Sequence, residues 1–446
     1  MRFQGLYHML SFYASESGDR TALIYEAVGE KVRLSYFELF DLVQRRANDL
    51  RASGKTSLGI LCDGSFDCVL AIMASIVSGM QTVLLDENTP DALLKGYIAY
   101  TDIDCLWSSD EEFTGEFSPY LTGGVKSGGR VLFFTSGTTS RSKAVVLTDE
   151  SLMSSAYNGG SLLPLSEDDV LLCQLPLNHV FGFVCGLLWG LSCGAAVALG
   201  RGARHYIDDC AFFAPTAISV VPLLLGFLLK YNALNEGLRL VLIGAGDCPP
   251  RLITACASIG LRVSFGYGLT ETSSGVALSL GADPYAMTVC PDDEVMIAED
   301  GEILISAPTC VMEGYYKMQD ATRDVLSGGL LRTGDLGFID GEGLLHVTGR
   351  KKEILVLSDG TKIFLPEYEG ELGAVLPGRD FAVAEKDGAP YLVIAGESSE
   401  RAAILEAVRP VMALRPRGQQ IKDVIFTPHP LPRTATGKIK RWELQL

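Results

Sequence analysis

Apolar residues follow two alternating periods in the first half of the chain. Residues 34–52 place them at helical spacing, which predicts an amphipathic helix that opens at Ser35. Short apolar runs at 56–61 and 82–85 predict buried strands on either side of a helix at 66–77. A strand, a helix and a strand in this order are typical of an α/β fold with parallel strands.

The same rhythm returns later and then changes. It predicts strands at 217–221, 238–243 and 262–266 and helices at 223–231 and 251–258. Beyond Thr272 the pattern favours hairpin-rich β structure, at 294–298, 301–305 and 343–347. From Arg350 onward it predicts a small α/β unit with helices at 366–374 and 399–413 and strands at 380–385, 391–394 and 423–426. We therefore expect an α/β protein with a boundary near Arg350, and 446 residues suffice for two or three domains.

One segment is long and uncharged enough to raise the question of a membrane span. Residues 170–200 contain no Asp, Glu, Lys or Arg, and a spanning helix needs about 20 apolar residues. The segment also contains Pro176, Asn178, His179 and several glycines, which divide it into a strand, a loop, a helix and a strand. The sequence therefore favours a buried core segment and no membrane span.

Charge and composition exclude several classes of function. The net charge of −17 gives the chain no overall basic footprint for nucleic acid. Residues 409–446, however, carry eight basic and two acidic side chains, which form either a solvated surface or a site for an anionic small molecule such as a nucleotide. The eleven cysteines include no CxxC pair and the five histidines no ligand-spaced cluster, so zinc is not expected. The first twenty residues lack a charged leader before an apolar core, and the cytoplasm is the expected compartment.

Two polar strings follow apolar strands and could meet a nucleotide. The run from Thr135 to Lys143, TSGTTSRSK, offers backbone N–H groups, hydroxyls and a cation to phosphate oxygens. The run from Gly266 to Thr272, GYGLTET, places an aromatic ring, a hydroxyl and a carboxylate side by side, which suits a base, a phosphate and its Mg²⁺. Each string taken alone is equally typical of an ordinary polar turn.

Three further strings lie in the second half of the chain. Asp335 ends the string Arg332-Thr333-Gly334-Asp335, where a carboxylate on a tight turn can accept hydrogen bonds from two ribose hydroxyls. The fourth string is Gly349-Arg350-Lys351-Lys352-Glu353-Ile354, and the fifth runs from Pro432 to Arg441, PRTATGKIKR. A charged run near a terminus is also typical of a solvated tail.

Because the five strings occur together and in order, the chain resembles the superfamily of adenylate-forming enzymes. That superfamily includes acyl- and aryl-CoA synthetases, peptide-synthetase adenylation domains and firefly-type luciferases. The resemblance extends over most of the chain, from about Leu34 to Arg441. It implies a large N-terminal AMP-binding domain of α/β subdomains plus a β-rich subdomain, residues 1–349, and a small mobile α/β C-terminal domain, residues 350–446.

The resemblance implies an ATP site with these residues. The β- and γ-phosphates are assigned to Thr135, Ser136, Gly137, Thr138, Thr139 and Lys143. One face of the adenine, next to the acyl pocket, is assigned to Gly244, Ala245 and Gly246. Tyr267, followed by Gly268, is assigned to stacking on the adenine. The ribose hydroxyls are assigned to Asp335, with help from Arg350.

The resemblance also implies the catalytic residues. Lys438 would bridge the carboxylate and the α-phosphate, and Thr270 would touch that phosphate. Glu271 would hold Mg²⁺, and His179 would lie beside the substrate carboxylate. Lys352 occupies the hinge position. The implied activity is that of an AMP-forming acid–thiol ligase that uses ATP, Mg²⁺ and coenzyme A.

Two strings bear on the identity of the acid. Residues 176–182 resemble the acyl- and aryl-CoA ligase version of that segment, and Val180 and Phe181 stand where amino-acid-activating relatives have an Asp. Residues 356–360, VLSDG, with Lys362, Pro366 and Glu369, look most like the long-chain fatty acyl-CoA ligases. The expectation is therefore a fatty acid, with an aromatic acid as the alternative.

The chain also departs from the family pattern. Ser140, Ser142 and Ala144 stand where the phosphate loop usually has Gly, Pro and Gly, and Asp247 replaces a commonly apolar or Pro residue. Two other functions therefore stay open beside a CoA ligase. One is an acyl-adenylate ligase that loads the phosphopantetheine arm of an acyl carrier protein, and the other is a non-catalytic nucleotide-binding relative.

Overall fold

A computed structural model describes residues 1–109, 129–135, 143–246, 248–356, 362–433, 439–444 and 446. Within these ranges the α-helices are α1 (Leu6–Glu16), α2 (Tyr36–Ala52), α3 (Phe66–Ser78), α4 (Asp91–Tyr100), α5 (Asp149–Leu162), α6 (Trp189–Ser192), α7 (Asp209–Phe213), α8 (Pro222–Lys230), α9 (Pro250–Ser258), α10 (Gln319–Val325), α11 (Leu365–Val375) and α12 (Arg401–Ala413). A π-helix, Gly182–Leu188, leads directly into α6.

The strands of the first half are β1 (Thr21–Ala27), β2 (Glu30–Ser35), β3 (Ser57–Cys62), β4 (Gln81–Asp86), β5 (Cys105–Trp107), β6 (Arg130–Phe134), β7 (Ala144–Thr148), β8 (Val170–Cys173), β9 (Ala196–Leu199), β10 (Ala217–Val220), β11 (Leu240–Ile243) and β12 (Arg262–Leu269). Those of the second half are β13 (Ser274–Ser279), β14 (Met287–Val289), β15 (Glu294–Ile297), β16 (Glu302–Ser306), β17 (Gly314–Tyr315), β18 (Leu326–Ser327), β19 (Leu330–Ile339), β20 (Leu345–Arg350), β21 (Ile354–Val356), β22 (Lys362–Phe364), β23 (Phe381–Lys386), β24 (Ala389–Ala395) and β25 (Val424–Thr427).

Two large sheets carry the first 350 residues. The larger has the order β15-β16-β19-β20-β14-β13-β12-β11-β10-β8-β9-β1-β2, and the other has the order β17-β7-β6-β4-β3-β5. Strands β12, β11, β10, β8, β9 and β1 pair in parallel, whereas β13 to β16, β19 and β20 pair antiparallel. The predicted α/β fold, and the change to hairpin-rich structure after Thr272, are confirmed.

Local sequence explains where the elements begin. Helix α2 starts after Ser35 because the Ser35 side chain accepts a hydrogen bond from the Glu38 backbone N–H, and Glu38 accepts one from the Ser35 backbone N–H in return. The uncharged segment 170–200 forms β8, the π-helix with α6, and β9, as its proline and glycines indicated. In the described part of the chain, no helix has both the length and the apolar character required to cross a membrane.

A buried carboxylate ties together the beginnings of three parallel strands. Asp169, which precedes β8, accepts hydrogen bonds from Thr216 Oγ1 at 2.6 Å, just before β10, and from Arg239 Nε at 3.0 Å, just before β11. Burial alone would raise the pKa of Asp169, but the bonds from Arg239, Thr216 and Ser166 outweigh it and hold that pKa well below its usual value. The carboxyl ends of the same strands are left for the loops described below.

The last part of the chain has a sheet and a core of its own. Strands β23, β24 and β25 form a separate three-stranded sheet. A cluster of buried apolar residues extends from Ile363 to Val424 and includes Tyr368 and Leu392, with the helices α11 and α12 packed on it. The predicted helices and strands of this region are confirmed.

We expect Asp169→Ala to lower the free energy of unfolding by roughly 2 kcal/mol at pH 7, because Thr216 and the half-exposed Arg239 lose a charged partner. Because the pKa of Asp169 is lower in the folded than in the unfolded protein, its carboxylate stabilises the fold at pH values above the unfolded pKa of about 3.9. This stabilisation is lost as the pH falls further. Thermal unfolding midpoints should therefore differ by a constant amount above about pH 5 and converge in more acidic buffer.

The neighbouring Asp168 provides the matched control. Its side chain is 87% exposed and pairs with Arg20 at the surface. Asp168→Ala should change the stability by less than about 0.5 kcal/mol at any pH. Equal losses for the two variants would contradict the role of Asp169 as the tie between strands.

Candidate active site

The carboxyl ends of the parallel strands surround a cavity of about 950 Å³. Its walls come from the segments that follow β8, β10 and β11 and from β12 itself. In open α/β sheets, ligands bind in the crevice at this end of the strands. The tie at Asp169 holds the opposite ends, so the loops around the cavity extend from a fixed base.

Seven of the predicted site residues line this cavity. They are His179, Gly244, Ala245, Gly246, Tyr267, Gly268 and Thr270. Phe133 and Phe134 of β6 also line it and immediately precede Thr135, whose backbone N–H donates to the Lys143 carbonyl at 2.9 Å. The second sheet therefore contributes the end of β6 to the same cavity, where segments far apart in sequence converge.

Two of the glycines are required by close approaches. A Cβ on Gly268 would lie 1.7 Å from the Ser274 carbonyl oxygen, because β12 and β13 come together there with an irregular register. A Cβ on Gly244 would lie 2.8 Å from the Phe181 ring. Both positions keep the backbone close to the cavity, where a flat ligand could pack against it.

Asp335 links three strands beneath the cavity wall. Its carboxylate, only 2% exposed, accepts a hydrogen bond from Tyr267 Oη at 2.9 Å and pairs with Arg350 Nε at 2.8 Å. Asp335 and Arg350 are paired in register between β19 and β20. Burial raises the pKa of Asp335, and the Arg350 charge and the Tyr267 hydroxyl oppose that rise. The structure thus brings together three residues that the sequence assigned to adenine and ribose.

Glu271 and Lys143 are joined by a residue that the sequence reasoning missed. Tyr315 Oη donates to Glu271 Oε1 at 2.8 Å, and Lys143 Nζ lies 4.1 Å from the centre of the Tyr315 ring. Burial, and then the Glu271 charge, raise the pKa of Tyr315, so its hydroxyl stays a donor. Tyr315 belongs to the two-residue strand β17, which pairs with β7 and is too short to leave a periodic signal in the sequence.

His179 lies in the loop between β8 and the π-helix. Desolvation by the surrounding protein lowers the pKa of its imidazole, although Asp86 opposes the shift. The imidazole is therefore neutral at pH 7 and can donate one hydrogen bond and accept another. That is a suitable neighbour for a carboxylate.

Some predicted positions lie outside the described residues. These are Ser136, Gly137, Thr138 and Thr139 of the phosphate loop, Lys438, and Ser140, Ser142 and Asp247 among the departures from the family pattern. Among the described cations of the basic segment, Arg409, Arg415, Arg433, Lys440 and Arg441 pair with carboxylates of the same region. Those pairs use much of the positive charge that the composition of 409–446 had offered to an anionic ligand.

Comparison with known proteins gives related sequences over most of the chain. Residues 129–316 match the family described as AMP-binding enzyme. A 2-succinylbenzoate–CoA ligase of Bacillus cereus is 30% identical over 394 residues, which cover 79% of each chain. A 2-succinylbenzoate–CoA ligase of Bacillus cytotoxicus is 29% identical, with 87% of this chain and 88% of the relative covered.

Solved structures share the fold. The O-succinylbenzoate coenzyme A synthetase of Bacillus subtilis in complex with AMP superimposes with a TM-score of 0.80 at 24% identity, covering 99% of this chain and 98% of the other. ATP-bound MatB from Rhodopseudomonas palustris gives a TM-score of 0.80 at 22% identity, covering 99% and 97%. The expectation of a fatty acid has no support from the two Bacillus ligases, whose names specify 2-succinylbenzoate.

We expect Tyr267→Phe to destabilise the protein in a pH-dependent way. A hydrogen bond to an ionised carboxylate contributes about 1.5–3 kcal/mol and one to a neutral acid about half as much. Because burial raises the pKa of Asp335, the stability difference should shrink as the pH falls through a window above the usual aspartate value of 3.8. Thermal unfolding of the two proteins from pH 4 to 8 measures it.

Tyr36→Phe is the matched control, since Tyr36 is also buried and its Oη donates to the neutral backbone carbonyl of Ala195 at 2.8 Å. Its loss of stability should not depend on pH over the same interval. A pH-independent difference for Tyr267→Phe would show that its hydroxyl does not stabilise the ionised Asp335.

Proposed function

The chain belongs to the AMP-binding enzyme family, and from that premise we propose that it activates an aromatic carboxylic acid with ATP and transfers the acyl group to coenzyme A. The single observation that carries this proposal is the convergence of Tyr267, Thr270, His179 and the Gly244–Gly246 segment on one cavity. In the family those positions meet the adenine, the α-phosphate and the acid. Their meeting in one cavity fits an enzyme that joins these reactants.

The arrangement at Asp335 supports nucleotide binding. Tyr267 and Arg350 hold the buried Asp335 carboxylate in a fixed orientation beneath the cavity wall, and a carboxylate can accept hydrogen bonds from two neighbouring ribose hydroxyls. Tyr267 itself lines the cavity, and its ring can stack on a base. The residues present therefore fit the nucleoside half of ATP.

Glu271 suits the metal that accompanies ATP. Mg²⁺ in nucleotide sites takes one or two carboxylates and completes its shell with phosphate oxygens and water. Glu271 adjoins Thr270 at the cavity, and its Oε1 is oriented by Tyr315. Mg²⁺ would offset negative charge on the phosphates there, as would Lys143, whose Nζ lies over the Tyr315 ring.

The adenylation step joins two anions. A substrate carboxylate oxygen attacks the α-phosphorus in line, the bond to the β-phosphate oxygen breaks, and pyrophosphate leaves with the electron pair. Thr270 and Lys438 are proposed to stabilise the α-phosphate, and the neutral His179 is proposed to orient the carboxylate by a hydrogen bond. The product is a mixed anhydride of the acid and AMP.

The second step has different needs. The thiol sulfur of coenzyme A attacks the acyl carbonyl carbon, the thiol proton leaves to solvent, and AMP departs with its oxygen. The first step is proposed to need the cation of Lys438, whereas the second step needs space for the long thiol arm of coenzyme A. A domain that moves between the two steps would meet both needs. We place that domain at residues 350–446, in keeping with the separate core between Ile363 and Val424, with Lys352 at the hinge.

An aromatic acid is the preferred substrate class, with a fatty acid as the alternative. The named 2-succinylbenzoate ligases support an aromatic acid. The cavity is lined by Phe133, Phe134 and Phe181, whose rings can pack against another ring. The alternative acceptor of the acyl group is the phosphopantetheine thiol of a carrier protein. The adenylation step would be the same with either acceptor.

The direct test is pyrophosphate release by the purified protein with Mg-ATP and a panel of aromatic, fatty and amino acids, with and without coenzyme A. We expect release with aromatic acids and a thioester product when coenzyme A is present. Glu271→Gln should slow pyrophosphate release about 100-fold or more. Glu313 pairs with Arg130 at the surface, so the control variant Glu313→Gln should not slow the release.

Each other outcome has a meaning. Acid-dependent release without a CoA thioester would transfer the proposal to a carrier-protein acceptor. Release with fatty acids alone would reverse the preferred substrate. ATP binding without release for any acid would favour the non-catalytic relative and overturn the enzyme proposal.

Lys438→Ala should separate the two half-reactions. We expect pyrophosphate release to fall by about 100-fold or more, because the cation that bridges carboxylate and phosphate is removed. Thioester formation from a pre-made acyl-adenylate should stay within a few-fold of the unmodified protein. A collapse of both steps would contradict the assignment of Lys438 to adenylation, and Lys422→Ala in the same region is the control.

A further inference from the structure

A second, smaller cavity of about 30 Å³ adjoins the main one. Four residues line both cavities: Cys185, Leu242, Gly275 and Leu278. A space of this size has room for about two water-sized groups. The two cavities are therefore separated by the side chains of three residues and by a glycine that has none.

The boundary between the cavities includes a π-helix and a strand. Cys185 lies on the π-helix, where Ser219 Oγ donates to its carbonyl at 2.7 Å and Ser274 Oγ lies 3.4 Å from its sulfur. On β13, Gly275 faces open space, because an added Cβ would meet no described atom within 4 Å. The backbone conformation of Gly275 does not require a glycine. A larger side chain at this position would fill the space that Gly275 leaves open.

The walls of the second cavity are mostly apolar, with the Ser155 hydroxyl, which has no hydrogen-bond partner among the described residues, as a polar exception. They include Ala156 of α5, Leu163, Val184 and Trp189, and the Trp189 N–H is occupied by the Leu163 carbonyl at 3.1 Å. Burial raises the pKa of Cys185 to about 11, so its thiol stays neutral. Among the described lining residues of both cavities, the permanent cations are Lys230 and Arg251, both exposed on α8 and α9.

We propose that the acid has an uncharged, apolar distal group that passes between Cys185 and Gly275 and occupies this second cavity. The inference rests on the proposed function and adds the substrate class, namely aromatic acids that carry a small apolar substituent at the end away from the reacting carboxyl. A second carboxylate at that end would lose its hydration without gaining a cation, since the cavity walls supply none.

The test compares acids that differ only at the distal end. The panel contains benzoate, cinnamate and 3-phenylpropanoate, each with hydrogen, methyl, ethyl or carboxylate at the para position, together with 2-succinylbenzoate as a dicarboxylate. Each buried methyl or methylene should raise kcat/KM about fourfold until the cavity is full. Para-carboxylate acids should fall at least about tenfold below their methyl counterparts.

Two variants change the opening in opposite directions. Gly275→Val fills it, and the preference for methyl over hydrogen should disappear or reverse. Cys185→Ala widens it, and the preference should extend to ethyl and larger groups. Gly281→Val is the matched control, since Gly281 is exposed beyond the end of β13, has no described atom within 4 Å of an added Cβ, and should leave every ratio unchanged.

The outcomes separate this inference from the proposed function. If the unmodified protein releases pyrophosphate with none of the acids, the proposed function is contradicted. Calorimetric binding of the same acids then gives the methyl-to-hydrogen ratios as ratios of Kd values. An active protein whose methyl-to-hydrogen ratio is the same in all four forms overturns the inference. Efficient use of the para-carboxylate acids would also overturn the inference. If Gly275→Val does not fold, the Cys185→Ala variant still provides the test.

Discussion

A carboxylate that is almost fully removed from water must be surrounded by donors, and Asp335 meets that requirement by drawing on two other strands. Tyr267 comes from β12, which pairs in parallel with β11 and antiparallel with β13, and Arg350 comes from the last antiparallel strand of the large sheet. The pairing therefore joins the two halves of the sheet at the edge of the cavity. Replacing either partner would leave a charge in a site of low dielectric, so the geometry of the nucleotide wall is coupled to the stability of the sheet.

The need to place each charge beside a suitable partner also explains the distribution of cations along the chain. The chain has a net charge of −17, yet the proposed substrates are anions, so positive charge has to be concentrated where they react. Most described cations of residues 409–446 are paired with nearby carboxylates. Lys143, over the ring of Tyr315, is instead directed to the segment that holds Glu271. Local placement, and not the total charge of a segment, decides where an anion can bind.

The sequence predicted the elements well because their signals are local. The capping box at Ser35, the short apolar runs of the parallel strands and the glycines that divide residues 170–200 each act within a few residues. Motif resemblance assigned His179 and Tyr267 to one site, and both line the cavity. Tyr315, Cys185 and Gly275 were not found, because their importance arises from contacts between segments far apart in sequence. A two-residue strand and a π-helix have no period that a sequence pattern could reveal.

The two cavities differ in the groups that line them, and this difference can orient an acid before any bond forms. The main cavity is lined by His179 and Thr270, which can hydrogen-bond to a carboxylate, and by the exposed cations of α8 and α9. The second cavity, beyond Cys185 and Gly275, offers mainly carbon, with neutral thiol groups and the Ser155 hydroxyl. A reversed acid would bury its charge among apolar side chains and expose its apolar end, losing free energy at both ends. In the proposed reaction, the orientation that brings the carboxylate to the α-phosphate is therefore also the one that solvation favours, and the reacting groups would need to supply only the final alignment.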